Sequence, residues 1–205
     1  DAAPDRVIAS WGHASGINIS GIDPKTGEQY VTMILASIIS GAGATQQMDG
    51  WHACGPLCCF GALSSGDIEL LEYQYPILIH KYGLAEDSGG AGEYRGGCGT
   101  VWEVEPLDHT MTVIAFGEGR QHPTMGAGGA EQISPELKVG LLEILHKDGQ
   151  TDLYRKNTVT EITPGERARN INPGGGGYGS SFDRDIQAVI KDVKERRWCV
   201  KKYAD

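Results

Sequence analysis

Two stretches of the chain concentrate residue types able to do chemistry. The first supplies His52, Cys54, Cys58 and Cys59 within the segment Met48 to Gly66. Thiolates with an imidazole are zinc ligands, and zinc takes four nitrogen or sulfur donors. The spacing is wrong for a ribbon or finger, because paired C-x-x-C knuckles are missing, and adjacent Cys58 and Cys59 would point to opposite sides of an extended chain. These cysteines read as small apolar side chains in a glycine-rich bend, and no metal ligand is assigned. The second stretch is Asp87 to Gly99, DSGGAGEYRGGCG. Ser88 and Cys98 are its nucleophile candidates, yet there is no G-x-S-x-G elbow and no cysteine-protease pattern. Arg95 is a permanent cation with a planar fork, suited to a carboxylate or phosphate. It could equally form an internal ion pair with Asp87 or Glu93. No catalytic residue is assigned; Asp87, Ser88 and Arg95 stand as candidates for positioning a substrate or closing an interface.

Glycine loops raise the question of phosphate binding, since backbone N–H groups at a tight turn cradle anions. Gly174 to Ser180 (GGGGYGS) has Walker-like glycines but lacks the lysine, and Asp183 and Asp185 stand where an anion would approach. Around Gly90 and Gly92 the third dinucleotide-fingerprint glycine is replaced by Arg95. Both loops read as structural turns. Glu69 and Glu72 would share a face on a helix but not on a strand, and the histidines show no H-x-x-x-H spacing.

The elements that must hold these groups follow from pattern. Thirty glycines in 205 residues, clustered without a three-residue period, indicate many tight turns in a strand-rich protein. Val7 to Ile22 reads as a bent strand, Asp23 to Gly27 as a turn, and Tyr30 to Ser40 as a buried strand. Ile68 to Leu84 reads as a strand interrupted by Pro76, hence an edge or a bulge. Thr100 to Pro106 and Thr110 to Gly117 read as strands joined by a short turn at Leu107 to His109. Val139 to His146 and Thr151 to Lys156 flank Asp148-Gly149, the pair that suits a type I′ hairpin. Thr163-Pro164-Gly165 marks a further turn. Phe182 to Arg197 has Ile186, Val189, Ile190 and Val193 at helical spacing with Asp183 placed as cap, and a short helical turn follows at Cys199 to Ala204. The expected class is α+β, β-rich with glycine-rich turns and a C-terminal helix.

Composition narrows the function classes. A net charge of −9 and a pI near 5.1 argue against a nucleic-acid platform, and no apolar run approaches the ~20 residues of a membrane span. Residues Asp1 to Arg6 form no signal peptide, and the missing initiator Met fits a processed chain or a fragment. Five cysteines without a framework read as reduced thiols, hence a cytoplasmic location.

Asp87 to Gly99 resembles the DSGGAG-x-x-RGG-x-G motif of hydantoinase B/oxoprolinase subunits. Asn172 to Gly179 (NPGGGGYG), then Asp183-Arg184-Asp185 and a V-x-x-D-V helix at Val189 to Val193, resembles that family's C-terminal ending, with Lys202 to Asp205 fitting its last helix. Gly43-Ala44 and Asp49-Gly50 match more weakly. The resemblance implies that residues 1–205 are the C-terminal portion of a B-type subunit, with a sub-boundary near 85–100. It further implies a hydantoinase A-type partner that uses ATP and Mg, the rest of the B-type subunit as a second partner, and a small-molecule substrate. Any divalent metal, Zn or Mn, would sit on the missing N-terminal part. Gly66-Asp67-Ile68-Glu69 looks more like the carboxylases of the family than its hydrolases. The lead expectation is therefore an ATP-dependent ketone carboxylase of the acetophenone or acetone type, acting on a phosphorylated enol. An ATP-dependent cyclic amide hydrolase (N-methylhydantoinase, 5-oxoprolinase or lactamase) is the alternative, and a non-catalytic assembly domain the third.

Overall fold

The computed structural model of the protein describes residues 7–12, 15–59, 63–117, 122–132 and 140–195. Among the described residues nine strands lie in two antiparallel sheets. β1 (Ser15–Ile22), β2 (Gln29–Met33), β5 (Met111–Gly117) and β8 (Thr158–Ile162) form one, in the order β2-β1-β5-β8. β3 (Ile77–Leu84), β4 (Thr100–Pro106), β6 (Leu141–Leu145), β7 (Thr151–Tyr154) and β9 (Arg167–Ile171) form the other, in the order β3-β4-β9-β6-β7. Alternate residues from both sheets make a single apolar core: Ile17, Ile19, Met111, Val113 and Ile162 from the first, Trp102, Val104, Leu142, Ile144 and Ala168 from the second. Two helices, α1 (Ile68–Gln74) and α2 (Ile186–Lys194), complete a β-rich α+β architecture.

The turns were legible from composition, but their geometry was not always. Between β1 and β2, Asp23 accepts from the Lys25 N–H at 2.8 Å and Gly27 takes φ +72°. Thr163-Pro164-Gly165 closes with the Glu166 N–H donating to Thr163 O, and Gly165 at φ +89° supplies the left-handed position. The β6–β7 hairpin pairs as expected, Leu145 opposite Thr151, but its loop is not type I′. Only Gly149 (φ +85°) is left-handed there; Gly149 N–H donates to His146 O and His146 N–H to Gln150 O. That is a type I turn followed by a glycine bulge. Leu107 to His109 does join β4 to β5, but these strands are not partners; the chain crosses there from one sheet to the other.

Three element readings are corrected. The expected strand over Tyr30 to Ser40 stops at Met33, a partly exposed edge, and Leu35–Ile38 form a 3-10 turn. Ser37 causes the stop: its hydroxyl donates to Ile34 O at 2.6 Å and accepts from Ile17 N–H at 2.9 Å, replacing ladder bonds by local ones. The first half of Ile68 to Leu84 is α1, not strand. Asp67 caps it by accepting from Leu70 N–H at 3.1 Å, and Ile68, Leu71, Glu72 and Tyr75 face inward at helical spacing. Pro76 lies between α1 and β3, and β3 is both an edge strand and irregular between Ile79 and Lys81. α2 is capped by Asp185, which accepts from Ala188 N–H at 3.0 Å, rather than by Asp183. The helical turn expected at Cys199 to Ala204, and the ending Lys202 to Asp205, lie outside the described residues.

The glycine-rich stretches form a separate layer at one end of the sheets. Along residues 174–176 successive N–H groups address different neighbours: Gly174 N–H donates to Ser88 O, Gly175 N–H to Gly97 O, Gly176 N–H to Ser10 O. The segment thus bonds to three separate stretches rather than to one ladder partner. These stretches lie close enough to exclude side chains. A Cβ on Gly175 would stand 1.9 Å from Ala42 O, and one on Gly97 1.8 Å from Trp51 O.

Candidate functional site

The stretch Asp87 to Gly99 is threaded through this layer, and Ser88 ties its ends. Fully buried, Ser88 donates from Oγ to Ala85 O at 2.6 Å and accepts from Gly99 N–H at 2.9 Å. Its hydroxyl is thus occupied on both sides. Asp87 precedes it in a left-handed conformation, φ +57°, half-buried. Tyr94 and Tyr178 exchange backbone hydrogen bonds, which lays the segment against the NPGGGGYG loop.

Arg95 is 4% exposed and does form an internal ion pair, with carboxylates from far along the chain. Its Nε donates to Asp192 Oδ1 at 3.0 Å and lies 3.7 Å from Asp49 Oδ2, while its backbone N–H donates to Asp49 Oδ1 at 2.9 Å. Arg184 completes the group. Its two Nη atoms donate to both oxygens of Asp49, to Asp192 Oδ2 and to Glu93 O, each at 2.8 Å. Two guanidiniums and two carboxylates therefore alternate in a neutral cluster, with Arg184 gripping Asp49 bidentately. The cluster joins three parts: the Asp49 loop, the Arg95 segment and α2.

Electrostatics keep Asp49 and Arg184 charged. Burial pushes the Asp49 carboxyl up, but the hydrogen bond and charge of Arg184, with Arg95 behind it, outweigh burial and hold it below the usual carboxylate value. Burial likewise disfavours charge on Arg184, and Asp49 and Asp192 more than reverse this, raising its pKa. Groups held so firmly in one ionisation state are poor proton shuttles at neutral pH. They are good fasteners. A cleft of about 400 Å³ opens beside the cluster, lined by Met48, Asp49, Glu93, Tyr94, Arg184 and Ala188 among others.

Asp49, Arg184 and Asp192 were not singled out as site residues from the sequence, yet each sits in a stretch noted there: Asp49-Gly50, Asp183-Arg184-Asp185, and the V-x-x-D-V helix. The signal available was an acidic residue interrupting the apolar spacing of α2. Asp192 is 2% exposed, while Ile186 and Ile190 stand 71% and 40% exposed. The helix docks through its charge and turns those isoleucines outward.

The remaining candidates separate. Cys98 is fully buried, its N–H donating to His52 Nδ1 at 2.8 Å; Cys54 is buried, which pushes its thiol up; Cys59 is exposed. Among the described residues no group of three or more His, Cys, Asp or Glu is placed to hold a metal. Glu69 and Glu72 do lie on a helix, but Glu72 accepts from Ile79 N–H at 2.7 Å. A second charged row crosses the outer face of the five-stranded sheet, where Glu103 accepts from Arg167 at 2.6 Å and Arg169 at 2.8 Å, and Arg169 also reaches Glu143 at 3.0 Å. No helix among the described residues is long and apolar enough to cross a membrane.

Comparison with known proteins identifies the fold and the motifs together. The sequence model of the hydantoinase B/oxoprolinase family matches residues 1–181. The chain is 63% identical over 194 residues to the caprolactamase subunit beta of Pseudomonas jessenii, covering 94% of this chain and 33% of that one. It is 28% identical over 214 residues to the acetophenone carboxylase delta subunit of Aromatoleum aromaticum, covering 90% and 31%. The crystal structure of the ATP-dependent caprolactamase from P. jessenii superimposes with a TM-score of 0.87 at 55% identity, covering 98% of this chain and 35% of that one. The chain thus spans about a third of the length of these relatives. With the motifs, the fold and the family match in agreement, the chain belongs to the hydantoinase B/oxoprolinase family.

Proposed function

We propose that the chain is the C-terminal portion of the B-type subunit of an ATP-dependent amidohydrolase that opens a cyclic amide of the caprolactam class. The observation that carries this reading is the 63% identity to a caprolactamase subunit across 94% of the chain, against 28% to a ketone carboxylase subunit. The one sequence feature favouring carboxylation loses its weight: in Gly66-Asp67-Ile68-Glu69, Asp67 serves as the N-cap of α1. Capping is a structural role, indifferent to the reaction.

An amide carbonyl resists water, and ATP supplies the activation by converting its oxygen into a leaving group. That step belongs, in this reading, to an A-type partner subunit carrying ATP and Mg. The glycine loop here does not fit a phosphate, because the N–H groups of Gly174, Gly175 and Gly176 are all committed to backbone carbonyls. Among the described residues no group of three or more His, Cys, Asp or Glu is placed to hold a metal; in this reading any divalent Zn or Mn belongs to the remaining part of the subunit. The contribution of this chain is positioning. Arg95 fastens α2 and the Asp49 loop to the segment Asp87 to Gly99, and Ser88 pins that segment's ends. Asp87, half-buried beside Ser88 at φ +57°, remains in this reading a candidate for positioning the substrate or closing the subunit boundary.

The test is coupled ATP consumption by the full-length subunit purified with its partner. Caprolactam should drive ATP hydrolysis and ring opening without bicarbonate. ATP consumption that instead requires a ketone and bicarbonate would establish the carboxylase reading, and an inert but correctly assembled complex would leave an assembly role. Arg95→Ala separates the roles of the cluster. Loss of assembly is expected from the geometry; an intact complex that has lost turnover would place Arg95 at the substrate.

A further inference from the structure

The surface beside the chain's entry into the glycine layer is apolar and uncovered. Ile8, Met48 and Trp51 are 46%, 50% and 65% exposed. Between them opens a pocket of about 150 Å³ with apolar walls, formed by Ile8, Trp11, Ala42, Gly43, Met48 and Trp51 among others. Its frame is rigid. Trp11 donates from Nε1 to Gly55 O at 3.1 Å, so its single polar atom is satisfied and its ring is held in place. Trp51 is anchored by its backbone, its carbonyl accepting from Ala42 N–H at 2.9 Å, while the indole stands out from the surface. An exposed tryptophan beside an apolar pocket marks an interface, and walls this apolar suit a permanent one better than a transient one.

The course of the chain identifies the occupant. Residues 7–12 are stitched into the layer by Ala9 N–H to Ala44 O, Ser10 N–H to Met125 O and Gly12 N–H to Gly41 O. Ile8, within that stretch, lines the pocket. The rest of a full-length chain would be tethered to this layer, and tethering raises local concentration to about the millimolar range or above. The relatives that match this chain are about three times as long, since the match covers 33% of one and 35% of the other.

We propose that this face is the docking surface for the preceding part of a full-length B-type chain, with an apolar side chain of that part seated between Trp11 and Trp51. The proposal rests on the reading of this chain as the C-terminal portion of a B-type subunit. It concerns contact rather than turnover, so its test is independent of substrate.

The experiment places p-benzoylphenylalanine at Trp51, and separately at Met48, in the full-length chain, alone and with its partner subunit. Val159, 69% exposed on β8, serves as the control position. Irradiation at positions 51 and 48 should give crosslinks within one chain, to peptides preceding Asp1, with or without the partner, and none from position 159. In the same protein, Trp51→Asp should speed amide exchange of the crosslinked peptides by about tenfold or more while β1 and β5 stay protected. Crosslinks only to the partner subunit, only between two copies, or none at either position would overturn the assignment. Failure of the lactamase assay with intrachain crosslinks present would overturn the activity and leave the docking surface standing.

Discussion

Arg95 shows how a residue's chemistry can be read from sequence while its partners cannot. Its type announced a carboxylate or phosphate partner; the carboxylates came from 46 and 97 residues away. Removing the guanidinium leaves Asp192 buried with one cation fewer, and breaking a buried pair costs about 3–5 kcal/mol. Arg95→Ala should lower unfolding free energy by that amount in urea titrations, with Arg95→Lys recovering only part because a single ammonium cannot reproduce the fork. A double-mutant cycle with Asp192→Asn should show coupling; strict additivity would mean that the cluster is not a unit. His146 gives a second residue-scale test. Its imidazolium donates to Glu166 at 2.7 Å and to Asp152 at 3.2 Å, and these bonds raise its pKa above the ordinary 6.5. A raised folded pKa means stability present below pH 6.5 and lost as pH climbs through the folded value. Wild type should therefore lose stability relative to His146→Gln as pH rises above about 6.5, a slope that denaturant titrations at several pH values will read.

At the scale of elements, period and turn chemistry located β4, β5, β6 and β7 within one or two residues. They failed at α1 because its apolar residues fit a short strand run as well as a helix, and at β2 because the sequence does not announce that Ser37 captures local backbone groups. The glycine layer illustrates a stronger limit. Composition announced turns, whereas most of these glycines serve close backbone approach. Gly175→Ala forces a Cβ to 1.9 Å from Ala42 O with only backbone nearby to yield, and should cost at least the ~1–3 kcal/mol of an overpacked core. Gly83→Ala, in β3 with nothing within 4 Å of the new Cβ, should be neutral or stabilising by about 0.4–1 kcal/mol. Thermal unfolding of the two variants side by side checks the contrast; equal effects would discredit the close-packed layer.

For the molecule as a whole, two ionic clusters supplement the apolar core, one fastening α2 and one crossing the outer face of the five-stranded sheet. Burial raises Glu103, but hydrogen bonds from Arg167 and Arg169 outweigh it, so its pKa lies below the ordinary 4.5, as that of Asp49 lies below 3.8. Lowered folded values mean that both contribute stability fully at neutral pH and lose it as pH falls through those values. Acid titration followed by circular dichroism should show unfolding below about pH 4, with the acid limb shallower in Glu103→Gln. Loss of α2 before the sheets would locate the earlier event at Asp49; simultaneous loss would make the clusters one cooperative unit.

By itself the sequence determined the class of fold, the positions of β4 to β7, most of the turns and the family, because these depend on local period, turn residues and motifs that a reader meets in order. β8 and β9 are not legible in it, and β1 reads there as starting at Val7 rather than Ser15. Only the tertiary structure decided what the motifs are for. Asp49, Arg95, Arg184 and Asp192 are scattered over 144 residues of chain, and their pairing follows from burial, which removes water as the competing partner and makes each charge seek another. The same holds for α2, whose apolar spacing predicted an inward face. The buried arginines claimed Asp192, since an unpaired charge in a dry site costs more than leaving two isoleucines in water.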